Sequence, residues 1–291
     1  MLPVVRLLIT GGSGYLGDEL LRHAPAAGWE ATGTRFASPG DGPVLDVRDA
    51  AAVERTVGEI APAAIVHTAY LQSGPDMVDV NVAGSANVAR AAAATRARLI
   101  HLSTDFVFDG DREGAYREDD EPAPVTPYGE SKLAAEHAVA EADPTALLVR
   151  TSLLYGGEEP GPHERLVADA IVGSADVGFF TDELRCPIAV GDLVAALLEL
   201  LEGDLRGPLH VAGSETVSRY RFAELVAAAA GLDGERLRPA LSADLRVRRP
   251  RNCALDCARA TAALTTRLRG ASEVLGAADR PIYTRSQWRR P

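Results

Sequence analysis

Cysteine, methionine and tryptophan are scarce in this sequence, with three, two and two copies in 291 residues, and aromatic residues make up only 5%. Three cysteines cannot build the disulfide framework of a small secreted scaffold. Cys253 and Cys257 stand four apart, which puts them on one face if that segment is helical, but no Cys-x-x-Cys and no clustered histidine completes a ligand set. The thiols therefore read as small apolar residues, and no metal site is expected. Long apolar runs are missing too. None approaches the roughly 18 residues that span a bilayer, and the run from Met1 to Ile9 is too short for a signal peptide. A cytoplasmic chain with no membrane partner is the expectation. Positive charge is in deficit, at 30 Lys and Arg against 41 Asp and Glu, for a net charge of −11. That balance disfavours nucleic acid and leaves a small phosphorylated ligand open.

A hydrophobic share of 46% with 24% charged residues is that of an ordinary globular protein. Short apolar runs at Val4 to Thr10, Ala31 to Thr34, Ala64 to Ala69, Leu99 to Ser103 and Ala146 to Thr151 alternate with alanine-rich helical stretches such as Val88 to Thr95 and Leu133 to Ala142. A further strand is expected before Asp46, which makes Ala64 to Ala69 the fourth. Such alternation reads as βαβ units around a parallel sheet. It stops at the breaker cluster Gly156-Gly157-Glu158-Glu159-Pro160-Gly161-Pro162. Later elements are a helix at Asp192 to Glu202, a strand at Pro208 to Ala212 and a helix at Arg221 to Ala230. The expected fold is α/β, a Rossmann-type doubly wound parallel sheet with a smaller C-terminal lobe. Residues 1–155, with 189–212 returning to them, form the dinucleotide-binding domain, and 156–188 with 213–291 form the substrate lobe.

Gly11, Gly14 and Gly17 are spaced by three between the first strand and the first helix. Glycines there let backbone approach a pyrophosphate, and the helix N-terminus offers free N–H groups and partial positive charge to it. Gly11, Ser13, Gly14, Tyr15, Leu16 and Gly17 are accordingly candidate cofactor contacts. The acidic residue that would hold an adenosine ribose 2′-OH is absent, and the sequence reads Gly33-Thr34-Arg35-Phe36 at that place. A guanidinium pairs with a 2′-phosphate, so NADP(H) is preferred, with NAD(H) possible. Asp46 and Val47 would flank the adenine. Thr68 and Ala69 close the fourth strand on the cofactor side, and Tyr70, Asn81 and Ser103 are added to the same set. His67 reads equally as a satisfied half-buried histidine.

Ser103, Thr104 and Asp105 end a strand, and Tyr128 and Lys132 follow at helical spacing. Residues four apart share a helix face. A lysine beside a phenol is expected to lower its pKa from about 10 and make it a general acid or base. Thr104 would hold the substrate oxygen.

Together the glycine turn, Ser103-Thr104-Asp105-Phe106-Val107-Phe108-Asp109-Gly110, Pro127-Tyr128-Gly129-Glu130-Ser131-Lys132, Arg150-Thr151-Ser152 and Arg249-Pro250-Arg251-Asn252-Cys253-Ala254-Leu255-Asp256 resemble the extended short-chain dehydrogenase/reductase superfamily. Within it they look most like the dTDP-4-dehydrorhamnose reductase branch. The resemblance implies catalysis by Thr104, Tyr128 and Lys132, with Tyr128 as proton donor, Lys132 on the nicotinamide ribose, and hydride transfer to a keto carbon of a nucleotide-activated deoxysugar. A sugar-nucleotide epimerase that holds NAD, and a non-catalytic subunit like the methionine adenosyltransferase β subunit, are the alternatives. Dehydratases of the superfamily place a Glu after the Asp that follows the threonine, whereas Phe106 follows Asp105 here.

The branch's Asp-Gln-x-Gly-x-Pro-Thr loop reads Asp182-Glu183-Leu184-Arg185-Cys186-Pro187-Ile188. Candidate substrate contacts are Asp105, Phe106, Thr151, His163, Arg185, Arg249 and Arg251. The arginines at 246, 248, 249 and 251 suit a diphosphate, or else pair within the chain with the acidic stretch Glu118 to Glu121. A homodimer through the segments Asp76 to Thr95 and Tyr128 to Ala142 is expected.

Overall fold

The computed structural model describes residues 5–38, 41–276, 283 and 287–289. In chain order its strands are β1 (Val5–Thr10), β2 (Trp29–Gly33), β3 (Ala64–His67), β4 (Arg98–Thr104), β5 (Leu147–Thr151), β6 (Leu154–Tyr155), β7 (Phe179–Phe180), β8 (Leu184–Arg185), β9 (Ile188–Ala189), β10 (Gly207–His210), β11 (Val217–Ser218) and β12 (Pro239–Ala240). The α-helices are α1 (Tyr15–His23), α2 (Ala50–Ile60), α3 (Ser85–Thr95), α4 (Pro127–Ala142), α5 (Pro162–Val172), α6 (Val190–Leu201), α7 (Arg219–Ala229), α8 (Ala258–Ala263) and α9 (Ala271–Gly276). Two compact units emerge, residues 1–107 with 127–150 and 194–209, and residues 108–126 with 151–193 and 210–291.

The first unit is built on a six-stranded sheet in the order β10-β5-β4-β3-β1-β2. β1 pairs in parallel with β2 and β3, and β3 with β4. Leu7, Leu8, Ile9, Ile65, Val66 and Ile100 are wholly buried, as a sheet covered on both faces requires. Leu8, Ile65, Leu99 and Leu148 share one core cluster with Val53 and Val57 of α2, Val88, Ala89 and Ala92 of α3, and Val139 of α4. Each fully buried Leu, Ile or Val contributes about 1.5–3 kcal/mol. The alanines of α3 let it lie close against its neighbours. Strand order reverses direction around β1, and the crevice at such a reversal is where open α/β sheets bind ligands.

The expected strand before Asp46 is only an isolated bridge between Arg35 and Val44, so Ala64–His67 is the third strand. Gly42 and Pro43 interrupt the backbone there, and two residues cannot propagate a ladder.

The second unit has its own core, in which Tyr155, Val167, Phe179, Phe222, Val226, Leu237, Ala271 and Leu275 pack together from α5, α7, α9 and short strand pairs. Residues 108–126 belong to this unit rather than to the first. Tyr116 N–H donates to Ala254 O at 2.7 Å, Asp256 N–H to Tyr116 O at 2.7 Å, and Asn252 N–H to Gly110 O at 2.9 Å. Gly110 has a φ of +79°, and a Cβ there would collide with Pro250 and Arg251. Long-range bonds of this kind carry no local pattern. Cys253 lies outside any helix and Cys257 sits at the N-cap of α8, and neither is in a disulfide.

Candidate active site

The glycine turn joins β1 to α1. Gly11 has a φ of +80°, and a Cβ on it would stand 2.8 Å from Ala69 N, so only glycine fits. A Cβ on Gly17 would run into the carbonyl oxygen of Gly11, which identifies Gly17 as the close-packing glycine. Gly14 differs, since a Cβ there meets only Gly11 O, at 3.3 Å. It is exposed, as is Ser13, and it caps α1 without any side-chain hydrogen bond. The first N–H groups of α1 thus remain available to an anion, and the residues present fit a dinucleotide pyrophosphate. Leu16 turns its side chain into the core, so only its backbone can serve a ligand. Thr68 is spent on structure, donating to Thr10 O at 2.8 Å.

Arg35 lies at the end of β2, with Nη1 donating to Ser38 O at 3.4 Å and Nε buried without a hydrogen-bond partner. The weak Ser38 bond leaves the Nη groups, not the buried Nε, as the part able to reach a 2′-phosphate. Arg48 takes the Asp46 carboxylate through Nε at 3.0 Å and Nη2 at 2.8 Å and holds its pKa below the usual range. Val47 is a core residue, packed on Gly84. Asn81 is likewise structural. Its amide accepts from Leu71 N–H at 2.8 Å and donates to Leu71 O at 2.9 Å and Ser131 Oγ at 2.9 Å, so it ties the loop after Tyr70 to α4.

Tyr128, in the first turn of α4, stands beside Thr104 at the end of β4. Phe106 and Tyr70 flank the phenol, with ring centroids 5.9 and 6.0 Å away. The Thr104 hydroxyl bonds Asp105 Oδ1 at 3.2 Å and accepts from Phe106 N–H at 3.3 Å, which fixes its rotamer. Lys132 is buried, donates to Leu102 O at 2.7 Å, and lies 5.9 Å from the Tyr70 ring centroid.

Charges here do not follow the expected lowering of the phenol. Burial raises the Tyr128 pKa well above its ordinary value, nearby Tyr70 and Asp105 add to this, and the Thr104 hydrogen bond opposes it. Burial also pushes Lys132 down to about 8, with Glu136 opposing. Loss of solvent outweighs proximity because neither group forms an ion pair among the described residues. The phenol keeps its proton at neutral pH, as a proton donor must.

Behind this pair lies a buried polar layer that spacing alone did not single out. Ser103 points its hydroxyl to Glu136 Oε1 at 2.5 Å, not outward to a cofactor, and Arg150 grips the same carboxylate at 3.0 and 2.7 Å. His67 is wholly buried between Thr10 Oγ1 at 2.5 Å and Ser85 Oγ at 3.0 Å, and burial followed by Lys132 lowers its pKa to about 3.

Within the second unit, Arg185 is not an open donor. It is 0% exposed and donates to Leu184 O, Arg251 O and Pro250 O at 2.7, 3.1 and 2.9 Å. Arg249 is bound to buried Glu183 at 2.5 Å and lies 5.3 Å from the Phe180 ring centroid. Arg219 approaches the same carboxylate at 4.0 Å, and burial followed by Arg219 lowers His163 to about 4. His163, Glu183, Arg185, Arg219 and Arg249 are thus one cluster. Arg251 is exposed, and Thr151 ends β5 with a buried hydroxyl lacking a hydrogen-bond partner. The acidic partners of the arginine run are Glu183 and, for Arg248, Asp111 at 2.6 Å, not residues 118–121. Glu118 instead accepts from His210 N–H at 3.1 Å.

Sheet, glycine turn and Tyr-Lys helix define a Rossmann-type protein with a short-chain dehydrogenase/reductase site. Residues 5–278 match the RmlD substrate binding domain model, and the chain belongs to that family. The dTDP-4-dehydrorhamnose reductase of Mycolicibacterium smegmatis is 36% identical over 241 residues, covering 80% of this chain and 72% of the relative. The methionine adenosyltransferase 2 subunit beta of Pongo abelii is 33% identical over 282 residues, or 89% and 82% of the two chains. The crystal structure of dTDP-4-dehydrorhamnose reductase from Bacillus anthracis in complex with NADP superposes with a TM-score of 0.83 at 26% identity, covering 96% of this chain and 98% of that one.

Proposed function

We propose that this chain is an NADPH-dependent reductase of a keto group on a nucleotide-activated deoxysugar, accepting NADH less well. Family membership and the reductase relatives support this reading. The observation that carries it is the half-buried phenol of Tyr128, held in its protonated form beside Thr104 and one helical turn from Lys132.

NADPH, when bound, supplies the hydride that reduces the keto carbon. Thr104 holds the carbonyl oxygen, and Tyr128 gives that oxygen its proton as negative charge develops on it. Lys132 binds the nicotinamide ribose hydroxyls, and Tyr70 and Phe106 wall the phenol from solvent. The exposed turn at Ser13 and Gly14, with the first N–H groups of α1, takes the pyrophosphate, and Arg35 takes the 2′-phosphate. Arg249, oriented by Glu183, is the candidate donor to the substrate's phosphates. The proposal includes a cytoplasmic homodimer formed through the helices around α3 and α4. It is tested by following NADPH oxidation with a panel of dTDP- and UDP-4-keto-6-deoxysugars, with Tyr128→Phe as control. Turnover lost in the variant supports it, and tight NADPH binding without oxidation across the panel contradicts it.

A regulatory subunit is the second reading, favoured by the 33% relative named as one. A partner that co-purifies with the protein, together with no turnover, would select it.

A further inference from the structure

Tyr128, Lys132 and Glu136 recur every four residues along α4 and so form one stripe of that helix. The first two reach the proposed reacting groups. The third is 2% exposed and ends in a clamp, with Ser103 of β4 donating to Oε1 at 2.5 Å and Arg150 of β5 donating from Nε at 3.0 Å to Oε1 and from Nη2 at 2.7 Å to Oε2. One carboxylate thus joins a helix to two strands of the sheet. Ser103 directly precedes Thr104, which stands beside Tyr128. Helix and strand that carry the donor and the oxygen-holding hydroxyl are therefore fastened at a point next to both.

We propose that Glu136 is a positioning residue for the Tyr128 and Lys132 pair, acting through its clamp on Arg150 and Ser103. The inference rests on the reductase reading for its consequence in turnover, but its geometry stands without it. Charged and titratable groups around Lys132 are few. Tyr128 and Glu136 share its helix, His67 of β3 and His101 of β4 are wholly buried beneath it, and Tyr70 faces it from the loop after β3. Both histidines are kept neutral by burial first and by Lys132 second. Among the described residues, Glu136 is the one anion that favours the Lys132 ammonium. Replacing it moves Lys132 below its value of about 8, so the cation on the ribose is lost at a lower pH.

The test measures NADPH binding by nicotinamide fluorescence from pH 6 to 9, and kcat and KM with the active sugar nucleotide, for Glu136→Gln and for Ser103→Ala. Glu136→Gln leaves Arg150 without its carboxylate, so it is paired with the double variant Glu136→Gln/Arg150→Met, and folding is checked by circular dichroism. Ser103→Ala removes one arm of the clamp and keeps the ion pair. Expected results are an alkaline limit of NADPH binding lowered by about one pH unit in Glu136→Gln and kcat reduced about tenfold or more in the double variant. Ser103→Ala is expected to lose a smaller part of kcat. Folded variants with the wild-type alkaline limit and wild-type kcat would overturn the proposal. If the chain proves inactive on every sugar, the reductase reading fails, while the shift in the binding limit still decides the role of Glu136.

Discussion

Tyr128 and Lys132 illustrate how burial sets the state of a pair that spacing merely brings together. The sequence pattern points to the right helix face, and the structure places both side chains on it, but the direction of the phenol shift is opposite to that expected from charge proximity. Desolvation is a property of the packed surroundings, which no local motif encodes. Tyr128→Phe is expected to lower kcat by about 10²–10⁴ while leaving NADPH binding intact, as read by turnover and fluorescence. A lysine with a folded-state pKa near 8 binds fewer protons than its unfolded counterpart between about pH 8 and 10.5. Stability therefore rises with pH across that window, and the buried ammonium costs most at and below its lower end. Lys132→Met is accordingly expected to raise Tm at pH 7 and to lose that advantage as pH climbs through 8 toward 10.5. Asn81, Asp46, Val47 and Ser103 were legible as residues near a site but not as structural ones. Their partners are Leu71, Arg48, the core beside Gly84, and Glu136, and all but Arg48 lie ten or more residues away in sequence.

At the scale of elements, the sheet strands and the helices packed on them were readable because each is a local run with its own period. The glycine turn was readable for the same reason, and the structure assigns its glycines different work. Gly17→Ala is expected to destabilise the protein by about 1–3 kcal/mol through its collision with the Gly11 carbonyl. Gly14→Ala, with only a 3.3 Å contact, is expected to keep most of the stability yet bind NADPH at least tenfold more weakly. Thermal melts with and without NADPH separate the two. The connection of 108–126 to the second unit was not legible, since it depends on bridges from Tyr116 to Leu255 and from Gly110 to Asn252 across more than a hundred residues. Glu183 belongs to the same category. Its carboxylate is wholly buried and carries Arg185, Arg219 and Arg249, so Glu183→Ala is expected to cost about 3–5 kcal/mol, measured by denaturant unfolding.

For the molecule as a whole, a net charge of −11 leaves local arginines to receive a phosphorylated ligand, and Arg35 in the first unit and Arg249 in the second are placed on partly exposed surface. Cofactor that binds only the folded chain raises stability by about 2.7 kcal/mol at a hundredfold excess over Kd. NADPH is expected to raise Tm more than NADH does, and Arg35→Ala to remove the difference. No helix among the described residues is long and apolar enough to cross a membrane. In the proposed reaction a protonated tyrosine completes hydride transfer to a sugar ketone. Its most direct test is the fall in NADPH absorbance when the purified chain meets dTDP-4-keto-6-deoxysugars, run beside Tyr128→Phe. Steady oxidation by the wild type and almost none by the variant is expected; equal rates in both, or none in either while NADPH stays tightly bound, would contradict a tyrosine proton donor.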